Sequence, residues 1–302
     1  MASWMVHLRV AEAVLKRLSG VEEKEFIVGN IAPDSGVPNA DWTSFSPPSD
    51  LSHFRVRNED GKKEVCIEEF VRQYFAEEPQ KDYDGKTYAF FLGYLVHLLT
   101  DILWKKEIFP ICIAKDPLLY EQDANRAIWT WKKDFYDLDA KYLRDHPEFH
   151  AFSVYENAVG FDNTYMDLFA RDAIDNRREY IVSFYRKKWE GLDREYPYLN
   201  EKEMGAFVEK AAETIFEQLQ EYTGNSPVKK AWYLDEDVLL VGAVEGNSFF
   251  PEDGGRYCGF YRQDFEPEDI GITVFFDLTE ALAVCGDVPV IDSEKRKEYR
   301  EE

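Results

Sequence analysis

The stretch FFLGYLVHLLTDILW, from Phe90 to Trp104, is the most apolar run in the chain. Its length and helical periodicity predict a buried helix over residues 86–108. His97 and Asp101 lie four residues apart in this stretch, so both side chains lie on one face of that helix. A buried carboxylate costs several kcal/mol unless it is paired or bound to a metal. Two partners for Asp101 stay open at this point: a hydrogen bond with His97, or zinc, which accepts both ligand types.

Composition and charge bound the classes of function. The chain has 302 residues, of which 45% are hydrophobic, enough to bury a sizeable core in one large domain or in a main domain with a smaller one. The formal net charge is −23. A surface with this charge repels nucleic-acid phosphates and anionic lipid headgroups, and no run of basic residues offsets it. Nucleic acid is therefore not expected as a partner.

Cysteine usage and the first residues indicate a cytoplasmic protein. Four cysteines are widely spaced without a C-x-x-C pair, which is typical of reduced, mostly buried thiols. The segment MASWMVHLRVAEAVLKRL lacks the charged and apolar regions of a signal peptide. The run around Phe90 falls short of the roughly 20 apolar residues that span a bilayer. We therefore expect no integral membrane segment.

Apolar periodicity divides the chain into two predicted parts. Residues 1–224 favour a mainly α domain, with helices at 5–18, 65–77, 86–108, 121–144, 163–190 and 201–222. Residues 34–60, rich in Pro, Ser, Asp and Asn, predict a long irregular loop of the kind that often carries function. Short β-branched or aromatic runs at 238–244, 257–262 and 271–278 predict strands. Residues 225–302 are thus predicted to be a small α+β or β appendage of unknown role.

Three further residues could join His97 and Asp101 in a site. His7 lies near the apolar stripe of the first helix, and His53 lies near the end of the 34–60 loop. Asp34 opens that loop after Pro33, which stiffens the chain. Each residue alone also has an ordinary explanation, because a core histidine and a turn-forming aspartate are common. Their order along the chain is more specific than any one of them.

That order is His7, GNIAPD with Asp34, SHF with His53, and GYLVHLLTD with His97 and Asp101. It resembles the zinc-dependent phospholipase C family, which shares its helical bundle-like fold with the S1/P1-type nucleases. The resemblance covers roughly residues 1–108 and implies a phospholipase C/P1 nuclease-type fold for the helical domain. It further implies that Asp34, His53, His97 and Asp101 hold one zinc ion. His7 would join Asp101, acting as a bridge, at a second zinc ion.

The chain departs from the family pattern at the remaining ligands. In secreted members, the second zinc also binds the backbone of an amino-terminal tryptophan, whereas Trp4 here follows Met-Ala-Ser. A third zinc would need a histidine soon after Asp101, and the following residues ILWKKEIFPICIAKD contain none. Glu107 is the nearest substitute. His146 and His150 in DHPEFH have ligand spacing, but they also fit a surface loop with two incidental histidines.

These ligands suggest a chemistry. Zinc held by histidines and carboxylates lowers the pKa of a bound water toward ~7 and polarises a phosphoryl oxygen. The leading hypothesis is a metal-dependent hydrolase that uses metal-activated water on a phosphodiester, as phospholipase C does, or on a small soluble phosphoester. Asp34 would orient or deprotonate that water. The alternative is a non-catalytic helical protein with a structural metal, because four ligands close a zinc shell, and with a partner-binding C-terminal part.

Overall fold

The computed structural model describes residues 2–41, 43–57, 61–75 and 83–223, together with 238–240 and 260–262. These residues form ten α-helices and three two-stranded antiparallel sheets. The prediction of a mainly α fold is confirmed.

The helices, in chain order, are α1 (Trp4–Leu15), α2 (Glu23–Ile31), α3 (Ser49–Ser52), α4 (Ile67–Tyr74), α5 (Gly85–Lys115), α6 (Pro117–Gln122), α7 (Ala124–Asp145), α8 (His150–Asn157), α9 (Ala173–Arg186) and α10 (Glu201–Thr223). A 3-10 helix, Ala32–Asp34, follows α2 directly. The strands pair as β1 (Val37–Pro38) with β2 (Phe45–Ser46), β3 (Arg55–Arg57) with β4 (Lys63–Val65), and β5 (Val238–Leu240) with β6 (Phe260–Arg262).

Two compact units can be distinguished. The first comprises Met1–Val14 and Glu22–Ile215, and the second comprises Leu15–Val21 and Phe216–Glu302. In the second unit, β5 and β6 fall within two of the three predicted strand segments. The third segment, 271–278, lies outside the described residues. The predicted domain boundary at residue 224 stays a prediction.

Helix α5 forms the centre of the first unit and is longer than the predicted 86–108. Asp84 caps its start by accepting a hydrogen bond from the Thr87 backbone N–H at 2.8 Å. The helix continues past Pro110 to Lys115. By length and composition alone it could cross a membrane, yet 83% of its most apolar 18-residue window is buried within the protein. Packing inside the protein therefore accounts for its apolar sequence.

Several predicted boundaries differ from the structure for local reasons. Residues 163–190 were predicted as one helix, but α9 starts only at Ala173. The Asn163 side chain donates hydrogen bonds to the carbonyls of Met166 and Phe169, which gives the backbone an alternative to helix. Helix α2, Glu23–Ile31, is not among the predicted helices, because its apolar residues are too few to show a helical period. Inside the predicted irregular loop lie the β1–β2 pair, α3 and β3, which pairs with β4 just beyond the loop.

Helices α2 and α5 touch through their backbones. A Cβ atom on Gly29 would lie 2.1 Å from the Phe90 carbonyl oxygen, and a Cβ atom on Gly93 would lie 2.0 Å from the Phe26 carbonyl oxygen. Only glycine fits at such separations. The Asn30 side-chain amide also donates to the Gly93 carbonyl at 3.2 Å. This contact fixes how far α2 can stand from α5.

Substituting Gly93→Ala should destabilise the protein by about 1–3 kcal/mol, because the new methyl group meets backbone that cannot move aside. Gly205→Ala on α10 is the matched control, since nothing lies within 4 Å of the added carbon. The control should be neutral or stabilising by up to about 1 kcal/mol through helix propensity. Urea denaturation of both variants measures the difference. Equal stabilities would show that the two backbones do not touch.

Asp139 joins three helices inside the first unit. It is fully buried, and it accepts hydrogen bonds from the Ser3 hydroxyl at 2.9 Å and the Tyr185 hydroxyl at 2.8 Å. Burial raises the pKa of Asp139 to about 7, although both hydrogen bonds act in the opposite direction. The beginning of α1, the middle of α7 and α9 thus meet at a carboxyl group that takes up a proton near neutral pH.

This buried carboxyl group should make stability depend on pH. Its pKa is about 7 in the folded state and near 4 in the unfolded chain, so the folded state binds more protons between these values. The contribution of Asp139 to stability is then largest at low pH, and it falls by up to about 1.4 kcal/mol per pH unit as pH rises through this window. Asp139→Asn should remove this component.

Urea denaturation at several pH values between 4.5 and 7.5, for wild type and Asp139→Asn, measures the component as a difference. Glu148→Gln is the control, because it removes an exposed carboxylate and leaves Asp139 in place. Parallel profiles for wild type and Asp139→Asn would contradict the assignment.

Candidate metal centre

The side chains of His7, Asp34, His53, His97 and Asp101 meet in the first unit. They come from α1, the 3-10 helix, the end of α3 and α5. The potential ligand atoms form two groups, and within each group they all lie within 4.8 Å of one another. One group is His7, His97 and Asp101, and the other is Asp34, His53 and His97. The three histidines and Asp101 are buried, while the Asp34 side chain is 16% exposed. All five residues that the sequence singled out are therefore brought together.

His97 stands at the centre because it belongs to both groups. Its Nδ1 lies 2.8 Å from the backbone carbonyl of Asn30 and donates to it. The proton on Nδ1 leaves the lone pair of Nε2 facing the cluster. The Asn30 carbonyl reaches this position because α2 lies against α5 at Gly93. Burial and the neighbouring His7 lower the pKa of His97 well below its usual range, so the ring is neutral at pH 7.

His53 is oriented in the same way. Its Nδ1 lies 3.0 Å from the carbonyl oxygen of Ser49, one turn earlier, and donates to it. The Tyr94 hydroxyl on α5 donates to the carbonyl of Ser52, which anchors α3 to the long helix. The Nε2 of His53 then faces the Nε2 of His97 at 3.3 Å. Two lone pairs at this distance repel each other unless a cation lies between them.

The turn after His53 is held by aromatic packing. Phe54 has a φ of +50°, in the left-handed region that bulky residues rarely adopt. Its ring packs edge-on against Phe70 at 5.1 Å and Tyr94 at 6.3 Å. These contacts stabilise a backbone conformation that costs roughly 1–2 kcal/mol by itself. The unusual turn thereby keeps the His53 ring at the cluster.

The two carboxylates border the histidines. Asp34 Oδ1 lies 3.4 Å from His53 Nε2. Asp101 Oδ1 lies 3.4 Å from His7 Nε2, and Asp101 Oδ2 lies 3.9 Å from His53 Nε2. Asp101 thus faces His7 with one oxygen and His53 with the other, as a bridging ligand would. Burial raises the pKa of Asp34, but its neighbours His53 and His97 outweigh burial and hold it well below its usual range.

These separations fit a small tetrahedral cation. Ligands at about 2.0–2.1 Å from a zinc ion stand about 3.3–3.4 Å from one another. The His53–His97 and Asp34–His53 separations, 3.3 and 3.4 Å, have this length. In the described part of the chain, both ring nitrogens of His7 and Asp101 Oδ2 are buried without a hydrogen-bond partner. Buried polar atoms are rarely left so. A cation would satisfy Asp101 Oδ2 and the His7 nitrogen that carries no proton.

A cavity of about 480 Å³ opens directly onto this centre. Asp34 and His53 line it, and Lys132 and Arg177 contribute positive charge to its lining. The rest of the wall is largely aromatic, from Trp4, Phe45, Trp129, Tyr136, Tyr180 and Phe184. A small molecule bound in the cavity would therefore contact both the candidate metal ligands and a cationic side chain.

A second cleft, of about 630 Å³, reaches Asp101. Four basic residues line it: Arg55, Lys63, Lys105 and Lys106. The Arg55 guanidinium stands 4.0 Å from Asp101 Oδ2. Because these residues come from β3, β4 and α5, no basic run in the sequence revealed them. The strongly acidic chain thus has cations concentrated beside Asp101, one of the candidate metal ligands.

The three further ligand candidates do not belong to this centre. Glu107 lies six residues after Asp101, about 120° around the same helix, and pairs with Lys210 at 2.9 Å. His146 and His150 are likewise not brought to this centre, and their placement fits the alternative of two incidental surface histidines. Pro147 separates α7 from α8, so His146 ends one helix and His150 begins the next. Both are exposed; His146 stacks on Tyr142, and His150 bonds to Glu23 at 2.8 Å.

The start of α1 also touches the centre. The Ala2 backbone N–H donates to Asp101 Oδ1 at 2.8 Å. Trp4 begins α1, and its ring lines the cavity and packs edge-on against Tyr180 and Phe184. The sequence did not indicate that the Ala2 backbone contacts Asp101 or that Lys132 lines the cavity, because neither residue belongs to a recognisable pattern.

No family model, no curated protein and no solved structure matches this chain. The likeness to zinc-dependent phospholipases C therefore rests on the order of the site residues.

We expect purified protein from zinc-supplemented medium to hold at least one zinc per chain. His97→Gln should lose it, because His97 Nε2 is shared by both ligand groups. His146→Gln is the matched control and should retain the wild-type content, since this exposed ring lies against Tyr142. Elemental analysis after dialysis measures the stoichiometry. Equal metal content in wild type and His97→Gln would show that no metal binds at this centre.

Proposed function

We propose that this chain is a zinc-dependent hydrolase of phosphoesters, either a phosphodiesterase of phospholipase C type or an enzyme of small soluble phosphoesters. The observation that carries the proposal is the cavity that opens on Asp34 and His53, two of the candidate ligands. A structural metal needs no access for a ligand, whereas a catalytic one keeps a position open. Mixed imidazole and carboxylate ligands are those of known zinc hydrolases.

The hydrolysis assigns roles to the residues that line the cavity. Water adds to phosphorus, the bond to the ester oxygen breaks, and the alcohol leaves with a proton. A bound zinc ion would supply Lewis acidity toward the water and toward a phosphoryl oxygen. Asp34 is partly exposed to the cavity and held ionised, so its carboxylate can accept a hydrogen bond from the attacking water. Its low pKa favours orienting the water over taking its proton.

The charge around the centre supports an anionic substrate. Lys132 and Arg177 line the cavity, and Arg55 is one of four basic residues that line the cleft at Asp101. Cations so placed can bind the phosphoryl oxygens and neutralise charge that develops in the transition state. A small phosphoester or a phospholipid headgroup fits this setting. Nucleic acid remains disfavoured in the proposal by the net charge of −23.

The proposed setting is the cytoplasm. Cys66 and Cys112 are free thiols, as expected in a reducing compartment. Cys258 and Cys285 lie outside the described residues. Among the described helices, α5 alone has the length and composition of a membrane span, and its burial gives it another role.

A structural metal is the second candidate. Asp34, His53, His97 and Asp101 supply four ligands, enough to close a tetrahedral shell, and a closed shell leaves no position for substrate. In that case the metal would only tie the 34–60 loop to α5. The partner-binding role suggested for residues 225–302 falls mostly outside the described residues. Metal content together with turnover separates the two candidates.

For the hydrolase, metal-loaded wild type should cleave p-nitrophenyl phosphate or bis(p-nitrophenyl) phosphate, stop with a chelator and resume with zinc. Asp34→Asn should lower kcat/KM by about a hundredfold or more, because it removes the charge that orients water and holds metal. Asp41→Asn is the control, because Asp41 is an exposed aspartate of the same loop that accepts hydrogen bonds from neighbouring Thr43. Release of p-nitrophenolate measures the rates.

One tightly held metal with no turnover of either ester would instead favour the structural role. No bound metal would remove both candidates.

A further inference from the structure

Lys132 stands out among the cations of the cavity. It lies on α7, borders the cavity with Asp34 and His53, and is only partly exposed. No carboxylate in the described ranges forms an ion pair with its ammonium group. The next residue, Lys133, points elsewhere and pairs with Asp137 at 2.9 Å. Lys132 therefore keeps its charge available for a ligand beside the metal centre.

The aromatic wall is poorly suited to a cationic ligand. Quaternary ammonium groups bind on open faces of aromatic rings. The two cations that line the cavity stand over three rings of this wall: Lys132 over Trp129 at 4.5 Å, and Arg177 over Phe45 at 5.9 Å and over Tyr180 at 5.5 Å. A second cation in the same space would be repelled by these charges.

The same wall favours an uncharged organic group. Aromatic rings bury apolar or aromatic ligand surface well, with offset or edge-on contacts between rings. The volume, about 480 Å³, lies in the range of pockets that take small molecules. The cavity thus combines one anion-binding end, at Lys132 and the metal centre, with an apolar body.

We propose that this cavity binds phosphoesters whose alcohol part is apolar or aromatic and carries no positive charge, and that Lys132 binds their phosphoryl group. This inference rests on the proposed function and narrows its substrate class. A choline-type headgroup is the ligand that the cavity selects against. Arg177 contributes positive potential at the wall, while its own guanidinium stays bonded to the Gly36 carbonyl.

Two ligands with the same phosphate group test the selection directly. Phenyl phosphate has an aromatic alcohol part, and phosphorylcholine has a quaternary ammonium group. Calorimetric titration of the zinc-loaded full chain should show phenyl phosphate binding at least about tenfold more tightly. Lys132→Met should weaken phenyl phosphate binding by about tenfold or more, because it removes the charge and keeps the length of the side chain.

Lys133→Met is the matched control and should bind both ligands as wild type does. Lys132→Gln serves as a second variant, and thermal denaturation shows that each variant is folded. The proposal is overturned if wild type binds neither ligand, if it binds phosphorylcholine as tightly as phenyl phosphate, or if the folded Lys132 variants retain wild-type affinity.

Turnover separates this inference from the proposed function. Selective binding that depends on Lys132, without zinc-dependent hydrolysis of p-nitrophenyl phosphate, would support the anion site and remove the hydrolase. Zinc-dependent hydrolysis with unchanged binding in the Lys132 variants would support the hydrolase and remove the anion site at Lys132.

Discussion

The backbone contact between α2 and α5 is the constraint on which the candidate metal centre depends. Gly29 and Gly93 let the two helices approach until a single added carbon would overlap a carbonyl oxygen. At this distance the Asn30 carbonyl accepts the hydrogen bond from His97 Nδ1. The position of His97 Nε2, which both ligand groups share, is therefore set by two glycines that bind nothing themselves.

The fold holds several hydrogen-bond acceptors close together in this centre, although their lone pairs and negative charges repel one another. His53 and His97 each use Nδ1 on a backbone carbonyl and turn Nε2 inward. Asp34 and Asp101 add negative charge to the same small volume, most of it away from water. Such an arrangement costs free energy unless a cation compensates it. The ring nitrogens of His7 are buried without a hydrogen-bond partner, which also indicates that a cation is needed here.

Charge acts at two scales in this protein. The whole chain is strongly acidic, with 59 acidic residues against 36 basic ones. Around the candidate centre the balance changes, because Lys132 borders one opening and Arg55 borders the other. A small anion would thus be repelled by most of the surface and attracted at these two openings. This contrast links the proposed phosphoester chemistry to the proposed preference for ligands without positive charge.

Helical periodicity and the spacing of His97 and Asp101 are local properties, so they were enough to predict the mainly α fold, the central helix and the shared face of these two residues. That His7, Asp34 and His53 would join them was expected only from the resemblance to zinc-dependent phospholipases C, which rests on the order of the residues. The departures from the family pattern also suggested Glu107, His146 and His150 as ligands. Glu107 instead lies on another side of α5 and pairs with Lys210, and the end of α7 separates His146 from His150. The close approach of α2 and α5 at Gly29 and Gly93, the position of Lys132 and the cavity are seen only in the folded chain. These depend on contacts between segments distant in sequence, for which a single chain has no pattern.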